Sequence, residues 1–132
     1  MTVILLIEDN QENADMTIRI LESASYQVIH CLRGFDGAKV ARKVHPDAIL
    51  MDFDLPDVDG RSMTLLLKKQ LGVAPPPIVA VTARAGAVEM RLAEQYGCSG
   101  FVSKPFLPDE LLNVLEKVLQ MYNRSNNHTE AS

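Results

Sequence analysis

The stretch Ala48-Ile49-Leu50-Met51-Asp52-Phe53-Asp54-Leu55-Pro56 begins as an unbroken apolar run and stops on an acid. Apolar residues without alternation are the pattern of a strand buried on both faces, as parallel strands are. The run ends in Asp52, with Asp54 and Pro56 close behind. Three other strand-like runs also end in polar groups. Val3-Ile4-Leu5-Leu6-Ile7 stops at Glu8-Asp9, Ile78-Val79-Ala80-Val81 at Thr82, and Gly100-Phe101-Val102-Ser103 at Lys104-Pro105. A fifth run, Tyr26 to Cys31, is less uniformly apolar and is expected at a sheet edge.

Amphipathic stretches separate these runs. Asn10 to Ala24 reads as a helix with Ala14, Ile18, Leu21 and Ala24 on one stripe. Asp36 to Val44, Arg61 to Leu71 and Val88 to Tyr96 read as three more, the last closed by Gly97. Pro108 opens a fifth, whose buried face is Leu111, Leu115, Val118 and Leu119. Five strands alternating with five helices imply an α/β doubly wound sandwich, a parallel sheet covered on both faces. Functional groups in such sheets collect at the carboxyl ends of the strands. The domain is expected over residues 1–122, with residues 123–132 a polar, disordered tail.

The chain has 132 residues, 47 % of them hydrophobic, enough for one core without metal or disulfide staples. A net charge of −4 leaves no basic stripe for nucleic acid. No run approaches the roughly 20 apolar residues of a membrane span. The first is also too short for a secretory signal, so a cytoplasmic protein is expected. The sequons Asn123-Arg124-Ser125 and Asn127-His128-Thr129 are then chance matches. Cys31 and Cys98 lack metal or redox spacing and are expected as buried, reduced thiols.

The strand ends carry the chemistry. Glu8, Asp9 and Asp52 at one sheet edge repel each other unless a cation or proton intervenes. Oxygen-only ligands with room for water suit Mg2+. Lys104 would hold an anionic group as a point charge, and the Thr82 hydroxyl could donate to one of its oxygens. A nucleophilic carboxylate, a cation, an ammonium and a hydroxyl are what phosphoryl transfer needs.

The strings Ile7-Glu8-Asp9-Asn10, Met51-Asp52-Phe53-Asp54-Leu55-Pro56-Asp57-Val58-Asp59-Gly60, Val81-Thr82-Ala83 and Val102-Ser103-Lys104-Pro105-Phe106 resemble the signature segments of response-regulator receiver domains. In this order and spacing they are highly specific, and the resemblance spans about residues 1 to 122. It implies a flavodoxin-like, CheY-like sheet of order 2-1-3-4-5. It makes Asp52 the phosphoacceptor. Asp9, Asp52 and the Asp54 backbone carbonyl become direct Mg2+ ligands, and Glu8 acts mainly through water. Lys104 becomes a phosphoryl contact preceding a cis Lys104–Pro105 bond. Thr82 matches the switch hydroxyl and Phe101 the aromatic switch position, which is often Tyr; Phe101 has no phenolic hydroxyl to offer a partner. Asp54 and Arg84 flank the path of attacking water, where a pair could tune the phosphate's lifetime.

The implied partners are a histidine kinase or histidine phosphotransfer protein as donor and an unknown downstream protein. A homodimer through the fourth helix, fifth strand and fifth helix, with Val88, Met90 and Arg91 as contacts, stays open. So do an unphosphorylated adaptor and a phosphorelay intermediate. The protein is expected to be free-standing and to catalyse only its own modification. Calcium at Asp54, Asp57 and Asp59 is disfavoured, because Pro56 sits where a ligand should and no Glu closes the loop. A haloacid-dehalogenase reading of Asp52-x-Asp54 fails because the pair follows the third strand and precedes Pro56.

Overall fold

The computed structural model describes residues 1–72, 74–84 and 86–131, with side chains as far as Tyr122. The most apolar runs become the central strands β1 (Val3–Ile7), β3 (Ala48–Asp52) and β4 (Ile78–Thr82). The more polar β2 (Gln27–Cys31) and β5 (Gly100–Ser103) take the edges. All pairings are parallel and the order is β2-β1-β3-β4-β5. This is the flavodoxin-like arrangement the sequence led us to expect.

Strand side chains alternate between faces, so each central strand feeds two cores. Leu5, Ile7, Ile49, Met51, Ile78 and Ala80 meet Ala38 and Ala41 of α2 (Gly34–Val44), Met63 and Leu67 of α3 (Gly60–Gln70) and Ala93 of α4 (Ala87–Tyr96). Ile4, Leu6, Leu50, Val79, Val81 and Val102 meet Ala14 and Leu21 of α1 (Gln11–Ser23) and Leu111, Leu115, Val118 and Leu119 of α5 (Pro108–Ala131). Double burial is why the strands read as continuous apolar runs. Both cysteines are free and buried.

Local signals set the helix ends. Asn10 caps α1 by accepting the Asn13 N–H at 2.9 Å, and Asp59 caps α3 by accepting the Arg61 N–H at 2.9 Å. Gly97 ends α4 at a left-handed φ of 109°. A Cβ on Gly60 would lie 2.7 Å from the Phe53 Cα, so only glycine lets α3 start this close to β3.

One expectation needs correction. The α1 stripe buries Thr17, whose hydroxyl donates to the Asn13 carbonyl at 2.8 Å, while Ala24 is the exposed C-cap beyond the last turn. The α5 backbone runs to Ala131, and no Gly or Pro follows Pro108 to interrupt it. The side chains of residues 123–132, on which the polar-tail reading falls, lie outside those described. Among the described residues no helix is long and apolar enough to cross a membrane.

Candidate active site at the strand ends

The parallel sheet brings the ends of β1, β3, β4 and β5 to one edge. Asp52 ends β3 with its side chain on the α1–α5 side, beside buried Leu50 and Val81. Its Oδ1 accepts the Asp54 backbone N–H at 2.9 Å and its Oδ2 accepts from Lys104 Nζ at 3.0 Å. Lys104 Nζ also donates to Glu8 Oε1 at 2.8 Å, so one ammonium bridges two carboxylates that are each 5 % exposed. The Lys104–Pro105 peptide bond following β5 is cis.

The electrostatics follow from burial and crowding. Burial, and then the adjoining Asp52 carboxylate, push the Glu8 carboxyl up from its ordinary 4.5 to about 7, against the pull of Lys104. For Lys104, burial works against the charged form, but bonding to Glu8 and Asp52 outweighs it and the pKa is raised. Asp9 is exposed and forms no ion pair among the described residues. Glu8, Asp9 and Asp52 each bring a carboxylate oxygen to within 4.8 Å of the others. A tight all-oxygen set with one member open to water fits a hard divalent cation.

Thr82 ends β4 and is buried; its hydroxyl donates to Asp54 Oδ2 at 3.3 Å and accepts the Arg84 backbone N–H at 3.0 Å. Arg84 Nε stands 3.8 Å from Asp54 Oδ1. Phe101 lies apart from this cluster, opposite Ala80 and packed against the α2–α4 core. Beside Asp52 opens a mostly apolar cavity of about 350 Å³, edged by Asn13, Met16, Pro105 and Phe106.

Two contacts escaped sequence reasoning. His30 Nε2 stands 2.9 Å from the Glu8 carbonyl oxygen, an approach that only the β1–β2 register creates. Asp57 accepts the backbone N–H groups of Gly34 and Phe35 at 3.0 and 3.1 Å, capping α2 from the β3–α3 loop. Arg33, the N-cap residue of α2, makes no side-chain cap bond of its own, so Asp57 supplies the acceptor from outside the helix. Asp54, Asp57 and Asp59 thus serve three different neighbours, and calcium gains no support.

A profile of the response regulator receiver domain matches residues 4–116. The chain belongs to that family. Receiver domains are signalling switches of two-component systems rather than turnover enzymes. It is 32 % identical over 116 residues to the polar-differentiation response regulator DivK of Brucella ovis, covering 88 % of this chain and 94 % of that one. It resembles the chemotaxis response regulator CheY4 of Vibrio cholerae with a TM-score of 0.83 and 25 % identity, over 89 % of this chain and 98 % of that one. The receiver domain of a sensor histidine kinase from Pseudomonas aeruginosa gives a TM-score of 0.82 at 34 % identity, over 90 % of this chain and 98 % of that one. That structure has a magnesium ion coordinated in its active site cleft.

Proposed function

We propose that this receiver domain accepts a phosphoryl group on Asp52 from the phosphohistidine of a histidine kinase or histidine phosphotransfer protein. The observation that carries the reading is the setting of Asp52: a buried strand-end carboxylate held between the Lys104 ammonium and the Asp54 N–H. An Asp52 oxygen attacks phosphorus; the new P–O bond forms as the P–N bond breaks, and the imidazole leaves. In the later hydrolysis, a water oxygen attacks phosphorus, the P–O bond to Asp52 breaks, and inorganic phosphate leaves as the carboxylate is restored. Lys104 would hold one phosphoryl oxygen, and Asp54 N–H another or the Asp52 oxygen itself.

Glu8, Asp9, Asp52 and the Asp54 backbone carbonyl would hold Mg2+, in keeping with the metal in the Pseudomonas relative. When bound, Mg2+ neutralises charge on the phosphoryl oxygens. Thr82 and Phe101 carry the change of state toward the α4–β5–α5 face, where exposed Val88 and Met90 would meet a downstream protein or a second copy. Asp54 and Arg84 set the phosphate's lifetime by standing over the path of attacking water. Arg84→Ala is expected to shorten the phosphate half-life while changing stability by less than about 1 kcal/mol; an unchanged half-life removes this role. A cytoplasmic site of action follows from phosphotransfer by a kinase.

The principal test is intact-mass measurement after incubation with Mg2+ and acetyl phosphate. Wild type should gain one phosphoryl group and Asp52→Ala none. An equal gain in both would overturn the assignment, and no gain in wild type would favour an unphosphorylated adaptor.

A further inference from the structure

Thr82 Oγ1 is engaged on both sides. It gives its hydrogen to Asp54 Oδ2 at 3.3 Å and takes the Arg84 backbone N–H at 3.0 Å. A hydroxyl has one hydrogen to donate. A phosphoryl oxygen on Asp52 and the Asp54 carboxylate are therefore rival acceptors for the same atom. Burial of Thr82 sharpens the rivalry, because water offers its hydroxyl little alternative partner.

We propose that the Asp54 carboxylate is a latch that holds the Thr82 hydroxyl in the resting arrangement and opposes the phosphorylated one. The proposal rests on Asp52 as phosphoacceptor and on Thr82 as the hydroxyl its phosphoryl group recruits. Asp54 is well placed for this: its backbone N–H holds Asp52 Oδ1 at 2.9 Å while its side chain holds Thr82. One residue thus touches the acceptor and the switch hydroxyl at once. Its other carboxylate oxygen faces Arg84, and both side chains are well exposed, at 42 % and 77 %. The Thr82 bond is long for a hydroxyl donor. The latch is therefore weak, and a phosphoryl group held beside Lys104 can open it. This differs from a lid over the phosphate: a lid needs the Asp54–Arg84 pair, whereas the latch needs only Asp54 and Thr82.

The test is NMR on the full chain, following the amides of Thr82, Ala83 and Phe101. Wild-type positions without and with beryllofluoride and Mg2+ define resting and activated ends. Without either additive, Asp54→Ala should move these signals toward the activated end, raising the activated-to-resting ratio about two- to fivefold, the worth of one modest hydrogen bond. Asp54→Asn, which keeps a carbonyl acceptor, should move them less, and Arg84→Ala should leave them at the resting end. Resting positions for Asp54→Ala, or equal displacement by Arg84→Ala, would overturn the latch alone. A wild type unmoved by beryllofluoride would overturn the Asp52 reading and the latch with it.

Discussion

Glu8 stands at the centre of the charge balance. Its carboxyl is nearly removed from water, shares the Lys104 ammonium with Asp52, and keeps its proton up to about pH 7 where an ordinary Glu releases it at 4.5. Between those values the folded, metal-free protein binds more protons than the unfolded chain. Stability contributed by Glu8 is therefore present below pH 4.5 and is lost as pH rises toward 7. Urea midpoints measured in chelator across pH 4.5 to 7 should fall, and Glu8→Gln should flatten that slope. Equal slopes for wild type and variant would reject the assignment. Most of the residues involved were legible beforehand: Glu8, Asp9, Asp52, Thr82 and Lys104 each interrupt or end an apolar run. The bridging of Glu8 and Asp52 by one ammonium was not, since their side chains come from strands far apart in sequence.

At the scale of elements, the β3–α3 loop and α2 are tied by Asp57. Burial favours its protonated form, yet the N–H groups of Gly34 and Phe35 and the nearby Arg33 outweigh it, and its pKa falls below the ordinary 3.8. Its contribution is thus present above that value and lost as pH falls through the lower folded pKa. Asp57→Ala leaves two N-terminal donors of α2 without their side-chain acceptor. It should cost about 1–2 kcal/mol at neutral pH, with faster hydrogen exchange at Gly34 and Phe35. Protection unchanged at those two amides would show that water replaces the cap. Gly60→Ala forces a methyl against Phe53 at the root of the same loop. A cost of about 1–3 kcal/mol is expected from chemical denaturation. The element pattern itself was readable from alternating apolar runs and amphipathic stretches. The α2 cap was not, because a remote acceptor leaves no mark at the helix's own N-terminus.

The whole molecule separates packing from chemistry. Leu115 is fully buried among α1, α5 and the sheet. Leu115→Ala should cost about 2–5 kcal/mol and leave Mg2+ affinity unchanged; a matching loss of affinity would mean that this core positions the metal ligands. Mg2+ binding only the folded state should raise stability by about 2.7 kcal/mol at a hundredfold excess over Kd. Chelator should remove that gain, and Asp9→Ala should abolish most of it. A denaturation midpoint insensitive to Mg2+ would count against a metal role for the acidic edge.

The strand-end motifs and the doubly buried strands determined, from sequence alone, the fold class and the edge of the sheet where Glu8, Asp9 and Asp52 meet. These are local signals: an apolar run reports burial on both faces, and a polar residue ending it reports exposure at the sheet's rim. Only the tertiary structure decided how that rim is wired. The hydroxyl of Thr82 falls to Asp54, the carbonyl of Glu8 to His30, and the N-terminus of α2 to Asp57. Each is a hydrogen bond between distant segments. Its existence depends on strand register and loop approach to within an ångström, which residue type and spacing do not encode.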